Sequence, residues 1–265
     1  MPADQPKSFW EHLEVLRWVI IRILLVTAAL AMVIFMCKET VFTRIVMAPC
    51  RGDFATYRLL CRMAEWTGVA SLCPSLQQVS VININLAAQL MVHISTSCCL
   101  ALLAAFPYIV AEGWHFLRPA LYERERRILL RGCVACTLLF FAGVVLSYFL
   151  IFPLTLNFLG NYQVSPDVVN QLSLNSYISS LIGLTLSTGA VFEMPVAAYC
   201  LARTGVLTYA MLARARKVAV VVCLILAAII TPSTDVFTLM VVALPVYLLY
   251  ELSLLVVRRA EATKE

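Results

Sequence analysis

Six stretches of the chain are continuously apolar: Trp18–Cys37, Leu86–Ala111, Ile128–Phe152, Tyr177–Ala202, Val218–Thr231 and Val236–Val257. A helix needs about 20 residues to cross a hydrocarbon core about 30 Å thick. Five stretches reach that length. The fifth in order, Val218–Thr231, would extend only about 21 Å as a helix. It fits a buried half-helix, or a short span paired with the sixth where the bilayer thins. Pro232, Ser233, Thr234 and Asp235 form a turn signal between these two stretches, which favours a hairpin of spans. The pattern predicts an all-α, polytopic integral membrane protein of six transmembrane helices, the last two short or forming a tight hairpin.

Composition agrees. Of 265 residues, 62% are hydrophobic and 13% charged, and the mean hydropathy is +0.90. A soluble domain is about 45–50% apolar and about 25% charged, so a soluble monomer is excluded. A disordered chain is excluded too. An outer-membrane barrel would alternate apolar and polar residues over segments of about 10.

Of the 20 Lys and Arg residues, 15 fall on one side of the predicted spans and 5 on the other. The richer side includes Arg17, Arg118, Arg124, Arg126, Arg127, Arg131, Arg214, Arg216, Lys217, Arg258 and Arg259. The positive-inside bias then puts both termini in the cytoplasm. The net charge of +5 is accounted for by topology and gives no reason to expect nucleic-acid binding. The first outer loop, about residues 42–85, is the exception, because it carries Arg44, Arg51, Arg58 and Arg62. Glu11 and Glu14 precede the first stretch and no small-residue cleavage site follows it, so a removed signal peptide is not expected. No internal repeat or flexible linker divides residues 1–265, and a single membrane domain is predicted.

Catalytic chemistry finds no footing in the motifs. No zinc-binding HExxH, no GxSxG and no phosphate-cradling glycine loop occurs. His12, His93 and His115 are far apart, and His93 sits within the second apolar stretch. Neither a metal nor a cofactor is expected. Cys133 and Cys136 make a CxxC inside an apolar stretch, where packing is the simpler reading. Three cysteines share the first outer loop. Cys50 follows Pro49 beside the membrane and is expected to be buried there. Cys61 and Cys73 flank a short segment containing Gly68, and a disulfide between them is predicted, because disulfides persist on the outer, oxidising side of a membrane.

The polar residues that remain are few. Glu11 and Glu14 lie one helical turn apart on an amphipathic lead-in, and Glu14 has Arg17 three residues ahead. In the first inner loop, Phe116, Pro119 and Leu121 precede Glu123 and Glu125. Glu123 has Arg127 four residues on, whereas Glu125 faces Ile128 and Leu129 and lacks a local partner. Glu125 is therefore a candidate to receive a ligand's cation. Glu193 stands ten residues before Arg203, deep in the fourth stretch, where a carboxylate is costly unless it faces protein or a hydrated cavity. Thr185, Gly189 and Glu193 share a helical face, and Pro195 is expected to kink the helix and free a carbonyl. Glu251 is expected to snorkel or to pair with Arg258 or Arg259.

Six motifs run in order along the chain: His12-Leu13-x-x-Leu16-Arg17; Ala48-Pro49; Phe116-x-x-Pro119-x-Leu121-x-x-x-Glu125; Tyr148-Phe149-x-x-Phe152-Pro153, preceded by Gly143; Phe192-Glu193-x-Pro195; and Thr231-Pro232-x-x-Asp235. Together they resemble the TatC family, the multispanning core of the twin-arginine protein translocase. The resemblance implies a receptor for the twin-arginine signal peptides of folded cargo proteins. It also implies single-span partners of the TatA and TatB type, other copies of the chain, and export driven by the proton-motive force across a bacterial plasma membrane. On this reading Glu125 receives the paired arginines, with Phe116, Pro119 and Leu121 beside it. The family's other recognition acid falls at Val15 here, and Glu14 or Glu11 is expected to replace it. Glu193, Pro195, Pro49 and Asp235 are expected to serve partner contact or transport.

Overall fold

The structure is a computed structural model of the whole chain, and it describes residues 9–68, 81–117, 123–162, 165, 171–231 and 235–262. It is almost entirely helical. The long helices are α1 (Phe9–Met36), α3 (Ala88–Leu117), α4 (Glu123–Leu146), α6 (Leu174–Val191) and α10 (Val236–Ala262). Shorter ones are α2 (Ala55–Thr67), α5 (Phe152–Asn161), α7 (Met194–Thr204), α8 (Tyr209–Arg214) and α9 (Arg216–Ile230). The described strands are β1 (Val81–Ile82) and β2 (Leu172–Ser173), which pair in parallel with Val81 opposite Leu172. Five helical segments are long and apolar enough to cross a membrane: Leu13–Met36, Ala88–Phe116, Gly132–Asn161, Leu174–Thr204 and Val236–Ala262. Helix α9, at 15 residues, falls short of a full crossing, as its apolar stretch predicted. Helix α10 has 27 residues and is not short. Residues 232–234, in the predicted turn, lie outside the described residues.

The third span runs nine residues beyond the expected end at Phe152. It continues through a wide π-helical turn at Ser147–Ile151 into α5, with Pro153 in the first turn of that helix. Proline has no N–H to give to the carbonyl four residues back, which is Phe149. The hydroxyl of Thr56 donates to that carbonyl. Tyr57 donates to the carbonyl of Pro153 at 3.2 Å. Helix α2 thus supplies the donors that allow the span to continue through a proline.

The fourth span breaks as predicted, but the break lies ahead of the proline. Helix α6 ends at Val191, Phe192 and Glu193 form a turn, and Pro195 occupies the start of α7. There its missing N–H is one that the first turn of a helix leaves without an intrahelical acceptor anyway.

Two compact units emerge. One comprises residues 1–38 and 93–138, the other 39–92 and 139–265. The core of the second unit includes Ile151, Phe152, Tyr177, Ile178, Leu184, Val242, Val246 and Leu254. Small residues let helices approach closely. Ala219, Cys223 and Ala227 line the buried face of α9 at four-residue intervals. Ala198 and Ala202 of α7 meet Val257 and Ala260 of α10.

Candidate functional site

The first unit contains the segments that carry the expected recognition residues: the start of α1, the end of α3 and the start of α4. Glu14 is exposed and makes no ion pair among the described residues, so the local pairing with Arg17 does not form. Trp10 and Trp18 are exposed on the same lead-in, as residues of an interfacial belt are. Phe116 is half-buried. Pro119 and Leu121 lie outside the described residues. Of Glu11 and Glu125 the helical backbone alone is described.

One feature of this unit escaped the sequence reading. Glu112, 8% exposed, accepts a hydrogen bond from the Tyr108 hydroxyl at 2.9 Å and an ion pair from Arg22 at 3.3 Å. Both donors meet the same oxygen, Oε1, and among the described residues none donates to the buried Oε2. The available signal was the Tyr108–Glu112 spacing of four, one helical turn, inside an apolar run. His93 stacks on Phe35 with ring centroids 3.9 Å apart.

The expected transport residues fall in the second unit. Both carboxylate oxygens of Glu193 are shielded from the surface at the α6–α7 break. The neighbouring crossing of α4 and α6 is held by two reciprocal insertions. A Cβ on Gly143 would meet Phe192 at 2.8 Å, and one on Gly189 would meet Phe140 at 2.9 Å. Pro49 is buried in a single 3-10 turn, Ala48–Cys50. That turn and the wide helical turn before it are held by tyrosines. Tyr148 donates to the carbonyl of Ile45 and Tyr177 to that of Val46, each at 2.6 Å, and Tyr57 donates to that of Pro49 at 3.2 Å.

Cys50 is half-buried beside these rings as a free thiol. Burial raises its pKa above the ordinary value, and a hydrogen bond with Tyr177 partly offsets that shift. Burial, and then the neighbouring Cys50, push the Tyr57 phenol up as well. Cys61 is disulfide-bonded. Cys73, its expected partner, lies outside the described residues.

Asp235 caps α10, where Oδ2 accepts from the backbone N–H of Thr238 at 2.7 Å. An acid there also faces the positive end of the helix dipole. The expected pairing of Glu251 with Arg258 or Arg259 gives way to another. Glu251 takes Arg216 of α9 at 3.0 Å and the Tyr247 hydroxyl at 3.1 Å. Arg216 opens the neighbouring helix, packed against α10, whereas Arg258 lies over the ring of Tyr209.

The profile of the family described as "Sec-independent protein translocase protein (TatC)" matches residues 11–245. A Blattabacterium protein of that name is 31% identical over 248 residues, covering 93% of each chain. The Aquifex aeolicus protein of that name is 34% identical over 192 residues, covering 72% of this chain and 79% of its own. A crystal structure of the twin-arginine translocase receptor TatC superposes with a TM-score of 0.69 at 28% identity, covering 94% of this chain and 99% of that one. A second, in DDM, gives 0.72 at 30% identity, covering 92% of this chain and 98% of that one. With five helices long enough to span a bilayer and a family match over most of its length, this chain belongs to the TatC family: a multispanning protein of the bacterial inner membrane and a component of Sec-independent protein translocation.

Proposed function

We propose that this chain is the receptor and core scaffold of a twin-arginine translocase. It binds the twin-arginine signal peptides of folded proteins at its cytoplasmic face and assembles single-span partners of the TatA and TatB type, with further copies of itself. Both termini are cytoplasmic in this reading, and α9 crosses as a short sixth span. Glu125 receives the paired arginines, with Glu14 or Glu11 as the second acid and Phe116, Pro119 and Leu121 beside them. Two ionised partners in bidentate geometry suit a carboxylate and a guanidinium. Glu193, Pro195, Pro49 and Asp235 serve partner contact or transport, and Cys61 pairs with Cys73.

The observation that carries this reading is the gathering of α1, the end of α3 and the start of α4 into one compact unit, where Glu14 is exposed and without an ion pair among the described residues. The experiment is photocrosslinking of a twin-arginine peptide to the purified chain in membranes. Glu125→Gln should weaken binding roughly tenfold or more, the loss of one charge-assisted bond. Glu123→Gln should weaken it less. Equal losses for the two, or labelling away from this unit, overturn the assignment.

A further inference from the structure

Helix α2 has one buried and one exposed side. Its Tyr57 and Ala64 are buried, and Gly68, with φ at 71°, ends it in the left-handed conformation. Leu59, Met63 and Trp66 are 59%, 46% and 90% exposed. Their spacing of four and three places them in a single stripe along the helix. Arg58 and Arg62 lie one turn apart on the edge of that stripe, exposed and without an ion pair among the described residues. Glu65 shares this polar edge, so the helix keeps one net positive charge.

The bonds of α2 fix its depth. Thr56 and Tyr57 are tied to the carbonyls of Phe149 and Pro153. These carbonyls stand at the end of the apolar stretch Ile128–Phe152. At ~1.5 Å per residue that stretch is long enough to cross a hydrocarbon core about 30 Å thick. The helix is therefore held where hydrocarbon gives way to headgroups. An apolar stripe with tryptophan and flanking arginines is the composition of a helix lying in that plane.

We propose that α2 is an interfacial helix. Leu59, Met63 and Trp66 enter the acyl boundary of the leaflet at the Phe149–Pro153 level, and Arg58 and Arg62 hold anionic lipid headgroups at its surface. This accounts for basic residues in the loop where the positive-inside bias disfavours them. The leaflet is the outer one on the topology proposed above, but the interfacial placement does not depend on that topology or on signal-peptide binding.

The test uses the full chain reconstituted in vesicles of phosphatidylcholine, with or without phosphatidylglycerol. Trp66 is one of four tryptophans, so the difference between the native chain and Trp66→Phe isolates its emission. Lipid brominated near the glycerol backbone should quench the Trp66 component about twofold, and lipid brominated near the chain end should quench it less, because such helices sit shallowly. Phosphatidylglycerol should strengthen the quenching, and Arg58→Gln combined with Arg62→Gln should abolish that gain. Quenching by aqueous acrylamide in place of bromolipid overturns the proposal. So does protection from both quenchers, which would mean that a protein covers the stripe. Quenching indifferent to phosphatidylglycerol overturns the headgroup contact.

Discussion

The ring of Phe140 lies so close over Gly189 that a Cβ there would stand 2.9 Å from its Cε2. Real side chains do not approach so closely, so this glycine is required by the ring it receives. One layer away the relation is reversed, because Phe192 presses on Gly143. The crossing of α4 and α6 is thus locked at the point where the fourth span breaks, next to Glu193.

Gly189→Ala should lower stability by about 1–3 kcal/mol, the usual cost of overpacking. Adding Phe140→Leu should recover much of it, because the three nearest atoms to the new methyl all belong to that ring. Gly143→Ala should not be rescued by Phe192→Leu, because the carbonyl of Thr188 also lies 2.9 Å away. Thermal unfolding in detergent of both single and both double variants checks the contrast.

Glu112→Gln and Arg22→Gln should each destabilise the first unit by about 1–3 kcal/mol, because each strands the other's charge. The double variant should lose less than the sum. A double-mutant cycle on thermal stability measures the coupling, and simple additivity would mean that the pair contributes nothing.

Asp235→Ala should cost about 1 kcal/mol as a lost helix cap, and Asp235→Asn should keep most of that stability. Transport assays on the stable Asn variant then separate a capping role from a charge role. Full transport by Asp235→Asn would remove the carboxylate from the transport machinery.

Alkaline pH should loosen the first outer loop. The Cys50 thiol and the Tyr57 phenol both titrate above their ordinary values of 9.0 and 10.0 in the folded chain. The folded state therefore holds protons that the unfolded chain releases, and stability falls as pH rises past about 9. Deprotonating Tyr57 also removes its hydrogen bonds to the carbonyls of Pro49 and Pro153. Pulsed alkylation of Cys50 should be slower than that of an unfolded control at pH 8 and should accelerate steeply above pH 9. Equal rates at pH 8 would contradict the burial of the thiol.

Much was determined by the sequence alone. Unbroken apolar runs dictate helices in a bilayer, because no other open structure satisfies its backbone there. The short α9 and the break beside Pro195 were legible for the same local reasons. What the sequence could not settle is who meets whom across helices. Glu251 took Arg216 over Arg258 because α9 packs on α10. The third span passed through Pro153 because Thr56, 93 positions away along the chain, covers the freed carbonyl. The Glu112–Arg22 pair, the tyrosines holding residues 45–49 and the glycines under Phe140 and Phe192 all depend on such long-range neighbours. Periodicity reports which side of a helix is apolar, whereas partners are fixed only when side chains from distant segments are packed into one space.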